Sequence, residues 1–215
     1  CFSFAFKNSS FYDPYWSLSP LAFALAWWLG ASAQLNNTRA LIIVSLIALW
    51  GLRLTYNFLR GFSDITHSDW RYKDLEEQHG KRFWLVSFFG LHFFSTSMVF
   101  MGCVPVYLAV TSETALGLMG AVGAGITLLA IVIEAVADQQ LYHFVKNNTD
   151  RTRYINSGLW AWSRHPNYFG EVSFWWGLAL MGFGASGSLW AFLGAGCMTA
   201  MFVFISIPMM ETRML

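Results

Sequence analysis

The chain has 215 residues, of which 56% are hydrophobic, 18% aromatic and only 12% charged, with a formal net charge of +1. Soluble domains carry about 25% charged residues, so this composition and a mean hydropathy of +0.46 exclude an ordinary soluble fold. The near-neutral balance, without a dense basic block, also excludes nucleic acid as a partner.

In chain order, Cys1 to Phe6 reads as the tail of a membrane span, and the sequence as the ordered middle of a longer chain. Lys7 to Pro20 is a polar, aromatic connection. Leu21 to Leu35 is the first nearly complete span, Asn36 to Arg39 a tight turn, and Ala40 to Leu59 the second span. Gly61 to Arg82 is the longest polar region, with an amphipathic surface helix expected from Asp69 to His79. Phe83 to Val110 and Ala115 to Ala137 are the third and fourth spans. After a polar region from Asp138 to Ser163, Tyr168 to Phe183 and Leu189 to Met210 complete the set. Each is near the roughly 20 residues that cross a bilayer. The expected fold is an all-α integral membrane bundle with six readable spans plus the tail of a seventh, forming one domain over residues 1–215.

Alternating these spans puts Lys7, Arg60, Arg71, Lys73, Lys81, Arg82, Lys146, Arg151, Arg153, Arg164 and Arg213 on one side and Arg39 alone on the other. The positive-inside rule makes the first side cytoplasmic. A multi-pass protein of a bacterial inner membrane is expected, in contact with membrane lipids and with no obligate protein partner implied.

Cys1, Cys103 and Cys197 lie in apolar surroundings without metal spacing, and the histidines form no HExxH pattern, so no metal site is signalled. Gly120-x-x-Gly-x-Gly and Gly182-x-Gly-x-x-Gly flank no βαβ unit. They read as small-residue helix contacts rather than nucleotide loops.

Polar residues inside membrane spans are costly and mark function. Trp50, Arg53, Asn57 and Arg60 recur at helical spacing as one polar stripe, with Tyr56 beside it. An Arg so placed either snorkels to the interface or faces a polar interior. Glu134 and Asp138 stand four apart at the end of the fourth span, either as ligand-binding groups or as partners of Arg53 or Arg164. Pro166 can open a helix on which Asn167 and Glu171 share a face. Together these groups describe a site where a charged cosubstrate enters from water and a lipophilic substrate from the bilayer.

The run Gly158-Leu-Trp-x-x-Ser-Arg-His-Pro-Asn-Tyr-Phe-Gly-Glu171 resembles the C-terminal signature of the steroid 5α-reductase family, especially its bacterial branch. Leu49-Trp-Gly-Leu-Arg-Leu, Asp69-x-Arg-Tyr, Glu134-x-x-x-Asp138 and Ile207-Pro-Met-Met-Glu-x-Arg213 resemble that branch in the same order. The resemblance implies seven membrane helices and an NADPH in a cytosol-facing cavity, mostly within residues 115–215. Asn167 and Glu171 would contact the nicotinamide amide. Arg53, Asp138, Arg153 and Arg164 would surround the ribose and phosphates, with Arg71, Tyr72, Glu134, His165, Tyr168, Glu211 and Arg213 completing the cofactor set. Glu134 stands where steroid reductases tend to carry Asn, and Glu211 where they carry His. The implied activity is reduction of the conjugated C=C bond of a lipophilic enone, plausibly a 3-oxo-Δ4-steroid, with Glu171 orienting the cofactor and Asp13 or Tyr56 polarising the carbonyl. Two other readings stay open: an S-adenosylmethionine-dependent methyltransferase, because Arg-His-Pro-x-Tyr is shared with isoprenylcysteine carboxyl methyltransferases, and a non-catalytic sterol or lipid binder.

The charge asymmetry predicts that cysteines placed at Lys81 and Arg164 react with an impermeant maleimide only from the cytoplasmic side, and one at Glu113 only from the opposite side.

Overall fold

The computed structural model describes residues 2–5, 8, 12–31, 36–61, 70–150 and 152–214, and no strand occurs among them. In chain order the helices are α1 (Phe2–Ala5), α2 (Tyr12–Gly30), α3 (Asn37–Gly61), α4 (Trp70–His79), α5 (Phe83–Val86), α6 (Phe94–Gly102), α7 (Val104–Val110), α8 (Leu118–Asn147), α9 (Pro166–Ser186), α10 (Ala191–Met201) and α11 (Ile207–Met214). A π-helical segment, Ser87–Phe93, joins α5 to α6, and another, Phe202–Ser206, joins α10 to α11. Among the described residues, four stretches are long and apolar enough to cross a membrane: Asn37–Gly61, Tyr72–Val110, Leu118–Asn147 and Ala191–Thr212. This is a multi-span helical membrane protein. Helices α2 and α9, of 19 and 21 residues, pack among the four.

Several boundaries differ from those expected. Helix α2 begins at Tyr12, well inside the stretch expected to be a connection. Pro14 lies in its first turn, where its missing N–H would have been unpaired anyway. Ser17 Oγ donates to Pro14 O at 3.0 Å, and Ser17, Ser19 and Pro20 are buried. The expected turn Asn36 to Arg39 is instead the start of α3, where Asn36 Oδ1 accepts the Arg39 N–H at 2.9 Å. Arg39 is buried, its Nη2 donating to Thr114 Oγ1 at 2.6 Å and Ala115 O at 2.8 Å, so it ties the two far-side connections together. Helix α8 does not stop at Ala137 but runs on to Asn147. Its last turns are polar, yet they have partners on α3 and in the segment before α9. A helix is present in the stretch expected to form one from Asp69 to His79, as α4.

The most extensive contact is between α8 and α9. Small residues carry it, as the glycine spacing suggested. A Cβ on Gly177 would meet Thr127 N at 2.8 Å and Gly123 O at 2.9 Å, so only glycine lets the backbones approach this closely. Helix α9 ends in Gly187, at φ +66°, whose N–H bonds to Phe183 O at 2.7 Å. That left-handed residue closes the last turn. The inward faces of α3 and α9 supply the aromatic centre. Trp50 stacks on Phe174 with ring centroids 4.6 Å apart and meets Trp175 edge-on at 5.6 Å.

Overpacking a closed helix contact costs about 1–3 kcal/mol. Gly177→Val is expected to destabilise the protein by about that amount, read as a lower thermal unfolding midpoint in detergent. Gly196→Ala, which meets no atom within 4 Å, should leave the midpoint unchanged.

Candidate functional site

At the basic end of the bundle, Arg53 on α3 reaches across to α8. Its Nη1 donates to Asp138 Oδ2 at 2.5 Å and its Nη2 donates to Glu134 Oε2. Asn57, one turn further along α3, donates to Asp138 Oδ2 at 2.6 Å. Arg60 Nη1 donates to Gln139 Oε1 at 2.7 Å, Nη2 donates to Asn57 Oδ1 at 3.0 Å, and its guanidinium lies 3.9 Å from the centre of the Tyr142 ring. The polar stripe on α3 therefore faces the protein interior and meets the acidic end of α8. Arg53 does not snorkel, and it is the partner of Glu134.

Helix α9 supplies the third wall. His165 precedes it, Pro166 opens it, and Asn167 and Glu171 point toward α8 and α3. Glu171 is buried, and both its oxygens accept indole N–H groups, Oε2 from Trp50 at 3.0 Å and Oε1 from Trp175 at 3.1 Å. Asn167 stands beside Asp138, and its Oδ1 accepts the Tyr168 N–H at 3.1 Å. Glu134, with 2% exposure, sits over Gly170, where a side chain would collide with it. Its second oxygen, Oε1, is buried without a hydrogen-bond donor, although the Glu171 carboxyl faces it within hydrogen-bonding reach. Arg53 Nε is buried and unpartnered as well. The cluster thus holds three carboxyl groups around one guanidinium, with an unfilled acceptor at its centre.

A second group lies at the rim. Glu211 on α11 receives Arg164 Nη2 at 2.6 Å on Oε2 and His165 Nε2 at 2.7 Å on Oε1. The His165 ring stacks on Tyr168, centroids 5.3 Å apart, and Tyr168 leans on Phe202 at 5.0 Å. Arg164 keeps 67% of its side chain exposed.

Of the expected site residues, Arg53, Glu134, Asp138, Asn167 and Glu171 meet in the inner cluster, and Arg164, His165, Tyr168 and Glu211 meet at the rim. Asp13 and Tyr72 form a pair of their own, the phenol donating to Asp13 Oδ1 at 2.7 Å. Tyr56 is 61% exposed beside Arg60, on the outer side of α3. The side chains of Arg71 and Arg213 lie outside the described residues. Arg153 joins neither group. It lines a cleft of about 760 Å³ on the opposite face of α8 from Glu134, together with Gln139, Gln140 and His143. The inner cluster is a closed polar group, and the cleft that Arg153 lines opens on the other side of α8. Sequence reasoning did not assign Trp50 and Trp175 as partners of Glu171. Trp175 was within reach of it, since the two are one helical turn apart.

A family described as "Protein of unknown function (DUF1295)" matches residues 1–215. The chain belongs to this family. It is similar to "Uncharacterized protein C594.04c" of Schizosaccharomyces pombe, 31% identical over 206 residues, covering 85% of this chain and 60% of the fungal protein. The chain therefore spans about three-fifths of that relative's length. No solved structure matches.

Removing the cation from a buried ion pair leaves uncompensated charge and costs about 3–5 kcal/mol. Arg53→Ala is expected to destabilise the protein by about that much in thermal unfolding. Arg164→Ala breaks an exposed pair and should cost less than about 1 kcal/mol.

Proposed function

We propose that this protein is an NADPH-dependent reductase of a conjugated C=C bond in a lipophilic enone, with 3-oxo-Δ4-steroids as the leading substrate class. The observation that supports this best is the orphaned Glu134 Oε1, buried at the centre of the cluster and facing Glu171. Two carboxyl groups brought together without a donor between them suit a ligand that brings N–H donors, as the carboxamide of a nicotinamide does. The resemblance of Gly158 to Glu171 to the steroid 5α-reductase signature points to the same cofactor.

The donor set fits NADPH. Glu134 and Glu171 would hold the carboxamide, Asn167 and Asp138 the adjoining ribose, and Arg164, with 67% of its side chain exposed beside Glu211, a phosphate, for which its planar fork is suited. When bound, the dihydronicotinamide supplies a hydride for the β-carbon of the enone. The chain's own residues do the rest. The Trp50 and Trp175 indoles keep the Glu171 carboxyl in one orientation. The ring cluster of Trp50, Phe174 and Trp175 keeps water from the inner side of the site. Negative charge grows on the enone oxygen during reduction, and a donor aimed there lowers the barrier. Asp13, whose Oδ1 accepts the Tyr72 phenol in a pair separate from the inner cluster, would serve here in its protonated form. Tyr56 is less suited, given its outward position.

The carboxylate excess supports a second reading. Arg53 is engaged by Glu134 and Asp138, and Arg164 by Glu211. A cationic cosubstrate such as S-adenosylmethionine would also be welcome beside Glu134 and Glu171.

Purified protein is expected to bind radiolabelled NADPH and not S-adenosylmethionine. Glu171→Gln and Asn167→Ala should abolish NADPH oxidation with enone while leaving the yield of folded protein nearly unchanged. Binding of S-adenosylmethionine alone would reverse the assignment, as would wild-type turnover in either variant.

A further inference from the structure

The Arg153 cleft stands apart from the inner cluster and from the rim. At about 100° per residue, Gln140, His143 and Asn147 fall on the side of α8 opposite Glu134 and Asp138, with Gln139 at its edge toward α3, and all four line the cleft. The same side, followed back along the helix, carries Leu129, Val132 and Val136, all exposed. Val136 belongs to the cleft wall as well. An apolar stripe facing the bilayer thus runs directly into a polar recess at the charged end of the helix.

The recess has one sign of charge. Among the described residues that line it, Arg153 is the only Lys, Arg, Asp or Glu, and its guanidinium makes no hydrogen bond or ion pair with any described residue. Asp150, the nearest acid in sequence, is engaged by Thr152. It accepts the Thr152 N–H at 2.9 Å and the Thr152 hydroxyl at 2.7 Å, contacts that hold its carboxyl below the usual range. His143 is tied to Gln139 at 2.7 Å within the wall. The segment over the recess is itself anchored: Leu159 N–H donates to Gln140 Oε1 at 3.0 Å, and Trp160 Nε1 donates to Ala137 O at 3.0 Å. The cleft is a preformed feature of α8 and the segment that follows it.

We infer that this cleft is a binding site for an anionic glycerophospholipid, whose phosphate pairs with Arg153 and whose acyl chains lie along Leu129, Val132 and Val136. A soluble anion would use only the recess. A lipid uses the recess and the stripe together, and the continuity of the two selects it. Asn147 and the amide nitrogen of Gln140, whose oxygen is taken by Leu159 N–H, provide neutral groups for the glycerol and head-group oxygens. Basic groups at a membrane surface favour anionic lipids in just this position. The inference does not depend on the reductase reading, because the site shares no residue with the inner cluster.

The test uses the full chain reconstituted in nanodiscs of equal phosphatidylglycerol and phosphatidylcholine, then extracted into detergent and examined by native mass spectrometry. Wild-type protein should retain phosphatidylglycerol in preference to phosphatidylcholine. Arg153→Glu should lower that preference by about tenfold, the loss of one charge-assisted contact. Lys81→Glu, at an exposed position of the same end but outside the cleft, should keep it. An unchanged thermal midpoint shows that Arg153→Glu is folded. Equal retention of the two lipids by wild type would overturn the proposal, as would an unaltered preference in Arg153→Glu. Displacement of the lipid by adenosine 2′,5′-bisphosphate or inorganic phosphate would assign the cleft to a soluble phosphate instead.

Discussion

One guanidinium holds the charged end of this membrane protein together. Arg53 leaves α3 and bridges two carboxylates a helical turn apart on α8. In the low dielectric between helices neither sign of charge is tolerable alone, and removal of a single partner is far more damaging than the net worth of the pair. The spacing of α3 from α8 at this end is therefore set by electrostatics, whereas the rest of the bundle is set by packing. Asn57 and Arg60 extend the same contact toward water, so the helices are joined by a ladder of polar bonds that becomes progressively more exposed.

The α8–α9 contact works by the opposite principle. Absence of side chains at Gly123, Gly170 and Gly177 brings two backbones together, and this closeness places Glu171 in front of Glu134. Helix α9 contributes buried residues along its whole length, and the indoles of Trp50 and Trp175 complete the enclosure of its one buried carboxylate. Dispersion and steric fit thus decide where a charged group stands. Charge then decides what can join it.

The membrane character, the helix order and the polar stripe were legible because they rest on periodicity and hydropathy, which are local. Gly120 and Gly123 were readable as packing residues for the same reason. Three features were not. The start of α2 at Tyr12 was hidden because prolines and polar residues in a helix look like a connection until Ser17 and Ser19 are seen to be buried against a neighbour. The last turns of α8 were hidden because Gln139 and Gln140 find partners far away in sequence. The placement of Arg153 on the outer face of α8 depends on how the segment after Asn147 folds back, and no spacing encodes that. Pairings such as Asp13 with Tyr72 belong to the same class, since their residues are 59 positions apart.

The π-helical turn Phe202–Ser206 between α10 and α11 has a consequence for lineage as well as for shape. Such a turn accommodates one more residue than an α-helix over the same rise, and every residue beyond it is rotated by about 100°. Glu211 lies downstream of that turn and meets Arg164 and His165 from the resulting angle. The rim is therefore in register with α9 only in chains that carry the extra residue. A relative lacking it could keep an unbroken, equally stable helix and still present a different side chain to His165. Length variation by a single position in this stretch is thus a means by which members of one family could come to differ at the rim while sharing the same core.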